Sequence, residues 1–181
     1  VPVSFHRAGA ALLLCALGLT ACSPTFNWRE TRVEGTPLQA LMPCKPDSAQ
    51  RSVPLLGTPT ELHLLSCEAG GLRFALAWAK VSDADQLRPA ILAWRSASLM
   101  AIRVSSPPDD EASTAWPVKV AGAAQVLGVR AQGQDPSGAS VQTRAAYFAQ
   151  GQQVFQAAVY GERLPAEALD TFFGGIRLLP P

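Results

Sequence analysis

The chain has 181 residues, 48% of them hydrophobic, with 15 Lys and Arg against 14 Asp and Glu. This is enough for one ordinary domain and short for two. The formal charge of +1 excludes the basic face that nucleic acid or an anionic membrane surface would need, so no nucleic-acid partner is expected.

In chain order, the first feature is an apolar run from Ala8 to Leu19, preceded by His6 and Arg7 and followed by small residues. Twelve residues of helix span about 18 Å, against about 30 Å for the hydrocarbon core of a bilayer, so the run is too short for a transmembrane anchor and fits an export signal. The stretch Leu19-Thr20-Ala21-Cys22 resembles the lipobox of bacterial lipoproteins. That resemblance implies a signal peptide over residues 1–21, cleavage before Cys22, a diacylglyceryl group on the Cys22 thiol and acylation of the freed amine. Several acyl chains, at about 0.8 kcal/mol per buried methylene, would anchor the protein stably. Arg7 leaves with the leader, so the mature chain has 14 basic and 14 acidic side chains. In a proteobacterial host, Ser23 after the lipidated cysteine resembles the outer-membrane sorting signal, which places the expected domain on the periplasmic side.

Residues 22–37 are polar, with Phe26 and Trp28 interspersed, and are expected to form a lipidated tether that lets the domain stand off the membrane. Trp28 has two possible roles, docking on the domain or resting among lipid headgroups. The globular domain is expected over residues 38–181. Leu38–Met42 is a candidate first strand, Arg51–Leu56 a short Pro-broken one, and Thr60–Cys67 alternates apolar and polar residues. Gly70-Gly71 then separates this run from Leu72–Trp78, which carries Leu72, Phe74, Leu76 and Trp78 on one face. The pair reads as an antiparallel hairpin.

With Cys15 in the leader and Cys22 acylated, Cys44 and Cys67 remain. In an oxidising compartment they are expected to form a disulfide, worth about 3 kcal/mol across their separation; the alternative is two free buried thiols. The cover for the apolar hairpin face is expected from a helix between Ser82 and Ile102, opened by Ser82, Asp83 and Asp85, with Pro89 marking a possible second start. Ser105–Pro117, with the acids Asp109-Asp110-Glu111, is expected to be a solvated loop, and Trp116 to re-enter the core. Three further strands are predicted over 125–132, 140–149 and 153–160. A helix after Pro165, ended by Gly174-Gly175, and a last short strand over 176–178 complete the chain.

The order meander, helix with Phe172-Phe173 and closing strand resembles the PsbP-like fold family over residues 118–179. The expectation is therefore an α+β domain in which an antiparallel sheet is covered by two main helices. The whole chain also looks like an uncharacterised proteobacterial envelope lipoprotein.

No constellation for catalysis emerges. His63 is the single histidine of the mature chain, it lies in a strand, and no Gly-x-Ser-x-Gly elbow accompanies it. Glu61, Glu68 and Asp135 fall on strand ends or turns and lack support as a carboxylate pair. Metal and phosphate motifs are missing, so no cofactor is expected. The aromatic residues Phe74, Trp78, Trp94, Tyr147, Phe155 and Tyr160 are expected in the core. The expectation is a lipid-anchored envelope protein that binds a protein partner and is not an enzyme. The alternative is a carrier of a small apolar or lipid ligand between sheet and helix.

Overall fold

Gly70 and Gly71 sit at φ 60° and 73°, a left-handed pair that closes a two-residue hairpin and sets the register of the fold's centre. The computed structural model describes residues 24–104 and 111–180. The expected leader and the expected acylation site, Cys22, lie outside the described residues. On either side of the glycine turn, β4 (Thr58–Ala69) and β5 (Leu72–Lys80) pair antiparallel from Ala69↔Leu72 to Leu62↔Ala79.

Four more strands extend this hairpin. They are β3 (Asp47–Leu55), β6 (Val126–Gln134), β7 (Ser140–Gln150) and β8 (Gln153–Gly161), and the six-stranded order is β3-β4-β5-β8-β7-β6, antiparallel throughout. A second, three-stranded sheet holds β1 (Arg29–Arg32), β2 (Leu38–Met42) and β9 (Arg177–Leu178), in the order β1-β2-β9. Helix α1 (Leu87–Ala101), led by a 3-10 turn at Ala84–Gln86, and helix α3 (Ala166–Gly174) pack on the strands. A single turn, α2 (Glu111–Thr114), lies between α1 and β6. The described residues form one domain of mixed α and β structure, mostly antiparallel sheet.

The centre of the large sheet, β5, β8 and β7, is buried on both faces, and this corrects the expected layering. Leu72, Phe74 and Leu76 share a face with Ala146, Phe148, Phe155, Ala157 and Val159. That face is covered by β2 (Leu38, Ala40, Met42) and by Leu169, Phe172 and Phe173 of α3, not by the helix that follows Ser82. Helix α1 lies on the opposite face, where Ala90, Trp94 and Leu99 meet Ala77, Ala79, Ala145, Tyr147 and Ala158. The reason is in β5 itself. Its apparently secondary positions 75, 77 and 79 are all alanine, small enough for a helix carrying Trp94 to approach closely, so large residues pack one way and small ones the other. The stripe of large side chains revealed only one of two apolar faces.

Residues 26–33 are also part of the fold, so the expected boundary at 37/38 moves toward the amino terminus. The rings of Phe26 and Trp28 stand edge-on to Phe74 with centroids at 6.1 and 5.8 Å. The Asn27 N–H donates to the Pro43 carbonyl at 2.8 Å, β1 pairs with β2, and Val33 is buried. Trp28 packs on the domain, the first of its two expected roles. Gly70 serves this docking as well as its turn, because a Cβ there would meet the Phe26 ring at 2.9 Å. Strand β1, Arg-Glu-Thr-Arg, is almost wholly exposed and carries no alternation of apolar residues to mark it as a strand.

Strand β3 is longer than the expected Arg51–Leu56 and ends in a turn that the composition conceals. Leu56 and Gly57 adopt φ 52° and 78°, the two left-handed residues of a type I′ hairpin between Leu55 and Thr58. Leucine is a poor occupant, since a side chain costs about 1–2 kcal/mol in this conformation and asparagine less. Leu56 is exposed, so no packing compensates. Replacement Leu56→Asn is expected to stabilise the domain by about 1 kcal/mol, read as a higher denaturation midpoint at unchanged m value.

Pro89 falls in the first turn of α1, where its missing N–H has no intrahelical partner. No side chain caps α1 or the 3-10 turn before it, so Ser82 does not play the expected capping part. In the segment expected to be a loop, residues 111–114 form α2. Thr114 is buried there and accepts a 2.7 Å hydrogen bond from Nη2 of the buried Arg95. Trp116 packs against Phe173, with centroids at 4.8 Å.

Candidate functional site

An open groove of about 1090 Å³ lies where the second sheet stops short of covering the first. Its floor is the β3–β4–β5 end of the large sheet. Its rim is the β1–β2 connection, residues 31–35, held down by the Gln153 side-chain N–H donating to the Gly35 carbonyl at 3.2 Å. The cross-strand register builds the floor in rows: Gln50 pairs with His63 and His63 with Trp78. His63 and Trp78 stack with centroids 5.0 Å apart and planes 11° from parallel.

The imidazole is held from both sides. Nδ1 lies 3.0 Å from Nε2 of Gln50, and Nε2 lies 2.8 Å from a carboxylate oxygen of Glu61. The amide N–H donates to Nδ1, which leaves the proton on Nε2 to be donated to Glu61. Glu61 is itself largely exposed, with 66% of its side-chain surface accessible, so the pair faces water. Arg32, Glu34 and Lys80 add charges of both signs around this planar platform. The arrangement is suited to contacting an extended polar chain across a flat aromatic surface.

Cys44 and Cys67 form a disulfide, with Cα atoms 6.0 Å apart. It joins the segment after β2 to β4 and so ties the second sheet to the first, next to the groove floor at Leu65. His63 stands on an alternating strand, as expected. Trp78, expected in the core, is only half-buried and lines the groove. A signal for this was available, because a two-residue turn at Gly70-Gly71 places position 63 opposite 78. Side-chain type alone points Trp78 to the core; the register points it to the groove. Among the described residues, no group of three His, Cys, Asp or Glu is placed to hold a metal, and no helix is long and apolar enough to cross a membrane.

The other face holds a buried polar cluster under α1. The Gln156 amide donates to the Tyr147 hydroxyl at 2.8 Å and to Ser98 Oγ at 3.1 Å. Burial drives the Tyr147 phenol well above its ordinary value, and burial also raises that of Tyr160. A phenol whose pKa is higher in the folded than in the unfolded chain contributes stability that is whole below the unfolded value of about 10 and is lost as pH rises above it. The urea midpoint is therefore expected to fall above about pH 10, with a shallower fall in Tyr147→Phe. Beside this cluster, Leu87 and Ile91 of α1 and Val126, Leu127 and Ala149 of the sheet line a smaller, mainly apolar cleft of about 600 Å³.

No protein-family model matches the chain, and no curated protein matches it in sequence.

Proposed function

We propose that this chain is a lipid-anchored cell-envelope protein, acylated at Cys22, that works by binding a protein partner and not by turning over a substrate. The observation that carries the binding role is the His63–Trp78 platform. Both imidazole nitrogens are engaged by Gln50 and Glu61, so the ring presents a fixed plane and not a free base. Arg32, Glu34 and Lys80 supply charges that would select among partners.

The anchor rests on Leu19-Thr20-Ala21-Cys22, and Ser23 favours the outer membrane, facing the periplasm. Three residues separate Cys22 from the docked Phe26, at most about 14 Å of extended chain. An acylated Cys22 would then hold the domain against the bilayer instead of on a long tether. The disulfide fits the oxidising compartment that this address implies. The order β6-β7-β8, then α3, then β9 supports a PsbP-like arrangement for the second half of the domain.

A photoreactive residue in place of Lys80, on the groove rim, tests the binding role in the native envelope. One discrete heteromeric adduct is expected, and it should be lost when Trp78→Ala is added. Adducts no more specific than those from exposed Arg130, on the far edge strand, would overturn the proposal. The apolar cleft between α1 and the start of β6 favours a second reading, carriage of a small apolar or lipid ligand. A small molecule co-purifying in native mass spectrometry, and displaced by Ile91→Trp, would support it.

A further inference from the structure

We propose that β3 is a dimerisation edge: two copies of this chain pair antiparallel through residues 47–51 about a two-fold axis at Ala49, joining their six-stranded sheets into one. The two edges of the large sheet are treated very differently. At β6 the Trp116 N–H donates to the Gly128 carbonyl at 3.0 Å, the Gln134 N–H donates to the Ile102 carbonyl at 2.7 Å, and Ala115 bridges to Val129. Gly128 and Gly133 admit this cover, since a Cβ at either would overlap the Trp116 or Ile102 carbonyl. Among the described residues nothing pairs with the outer side of β3, although it is nine residues long. Unpaired edges of that length are normally blunted by proline, charge or a cover. Here Pro46 and Pro54 mark the two ends and Asp47 and Arg51 are the strand's only charges, but the backbone from Ser48 to Ser52 has neither a proline nor a cover among the described residues.

The direction of the free backbone groups follows from one pair. Pro54 faces Pro59, and neither has an N–H, so theirs is a non-hydrogen-bonded pair. By alternation, residues 47, 49, 51, 53 and 55 bond to β4. Ser48, Gln50 and Ser52 turn both N–H and C=O outward, and all three are exposed. A second β3 can meet them in only a few symmetric registers, and charge separates these. An axis at Asp47 opposes two aspartates, an axis at Ser48 opposes Lys45 and Arg51, and an axis at Arg51 opposes two arginines. An axis at Gln50 makes no charge pair. An axis at Ala49 places Asp47 directly across from Arg51 of the second copy, twice, while Ser48 and Gln50 exchange backbone hydrogen bonds on each side of the axis. The register therefore satisfies the ladder and both charges together.

Ala49 would then face Ala49 of the second copy in a non-hydrogen-bonded pair, with Cα atoms about 4.5 Å apart, within disulfide range. The test is Ala49→Cys in the full chain in its native envelope, oxidised mildly and run on a non-reducing gel. A covalent dimer is expected as the main species, whereas Val53→Cys, which faces Lys45 of the second copy, gives none above the unaltered chain. Adding Arg51→Asp should lower the dimer about tenfold, and adding Asp47→Arg to that variant should restore it. Equal crosslinking from positions 49 and 53, or indifference to Arg51→Asp, would overturn the proposal. An intact Cys44–Cys67 peptide in each variant verifies the fold. Without engineered thiols, sedimentation of the detergent-solubilised unaltered chain should give a dimer. Ser48→Pro, which removes only an outward N–H, should give a monomer; an unaltered chain that sediments as a monomer would equally overturn it.

Discussion

Phe74→Ala is expected to destabilise the domain by about 3–5 kcal/mol, a large part of the 5–15 kcal/mol that typically holds a domain of this size together. Phe74 is fully buried at the point where three parts of the chain converge. Phe26 and Trp28 reach it from the amino-terminal segment, and Phe172 of α3 lies 5.3 Å away by ring centroids. Truncation removes the ring and leaves a cavity that these rigid neighbours cannot collapse to fill. Urea denaturation should show a much lower midpoint with the m value unchanged. The amino-terminal segment should also lose protection from proteolysis before the rest of the domain does, because edge-to-face contacts with Phe74 hold it. A loss below about 1 kcal/mol would mean that neither the segment nor α3 is packed as described.

Breaking the Cys44–Cys67 disulfide is the second large effect. The bridge closes a loop across a sequence separation of 23, and on the chain-entropy account its removal costs about 3 kcal/mol. Cys44→Ala with Cys67→Ala should accordingly lower stability by that amount while leaving the β4–β5 hairpin intact. The bridge links the small sheet to the large one, so its loss should loosen the β1–β2 rim more than the groove floor. Hydrogen exchange would resolve this as faster exchange in β1 and β2 than in β4 and β5. Uniform acceleration across both sheets would argue against a local tie.

The parts of this fold that were legible in the sequence are those where local chemistry and tertiary demand coincide. The Gly70-Gly71 turn, the meander through β6, β7 and β8, and the helix after Pro165 each carry turn or capping residues of the expected kind. The Cys44–Cys67 bridge could be inferred by counting cysteines. What stayed hidden had no such signature. Leu56 adopts a left-handed conformation without being a turn residue. Strand β1 is polar on both sides and is held by its partner β2. The alanines at 75, 77 and 79 form an apolar face of low volume with no large residue to mark it, and so the sequence points α1 to the wrong side. The groove was concealed in a similar way, because Trp78 reads as core until the hairpin register places it beside His63 at the margin of the second sheet.

The proposed envelope role rests on processing at Cys22, and the most direct measurement is the mass of the amino-terminal peptide of the protein purified from membranes. A chain beginning at Cys22, with a diacylglyceryl group on its thiol and an acyl group on its amine, is the predicted result. A peptide in which Thr20 and Ala21 are still joined to a Cys22 bearing an unmodified thiol would contradict it.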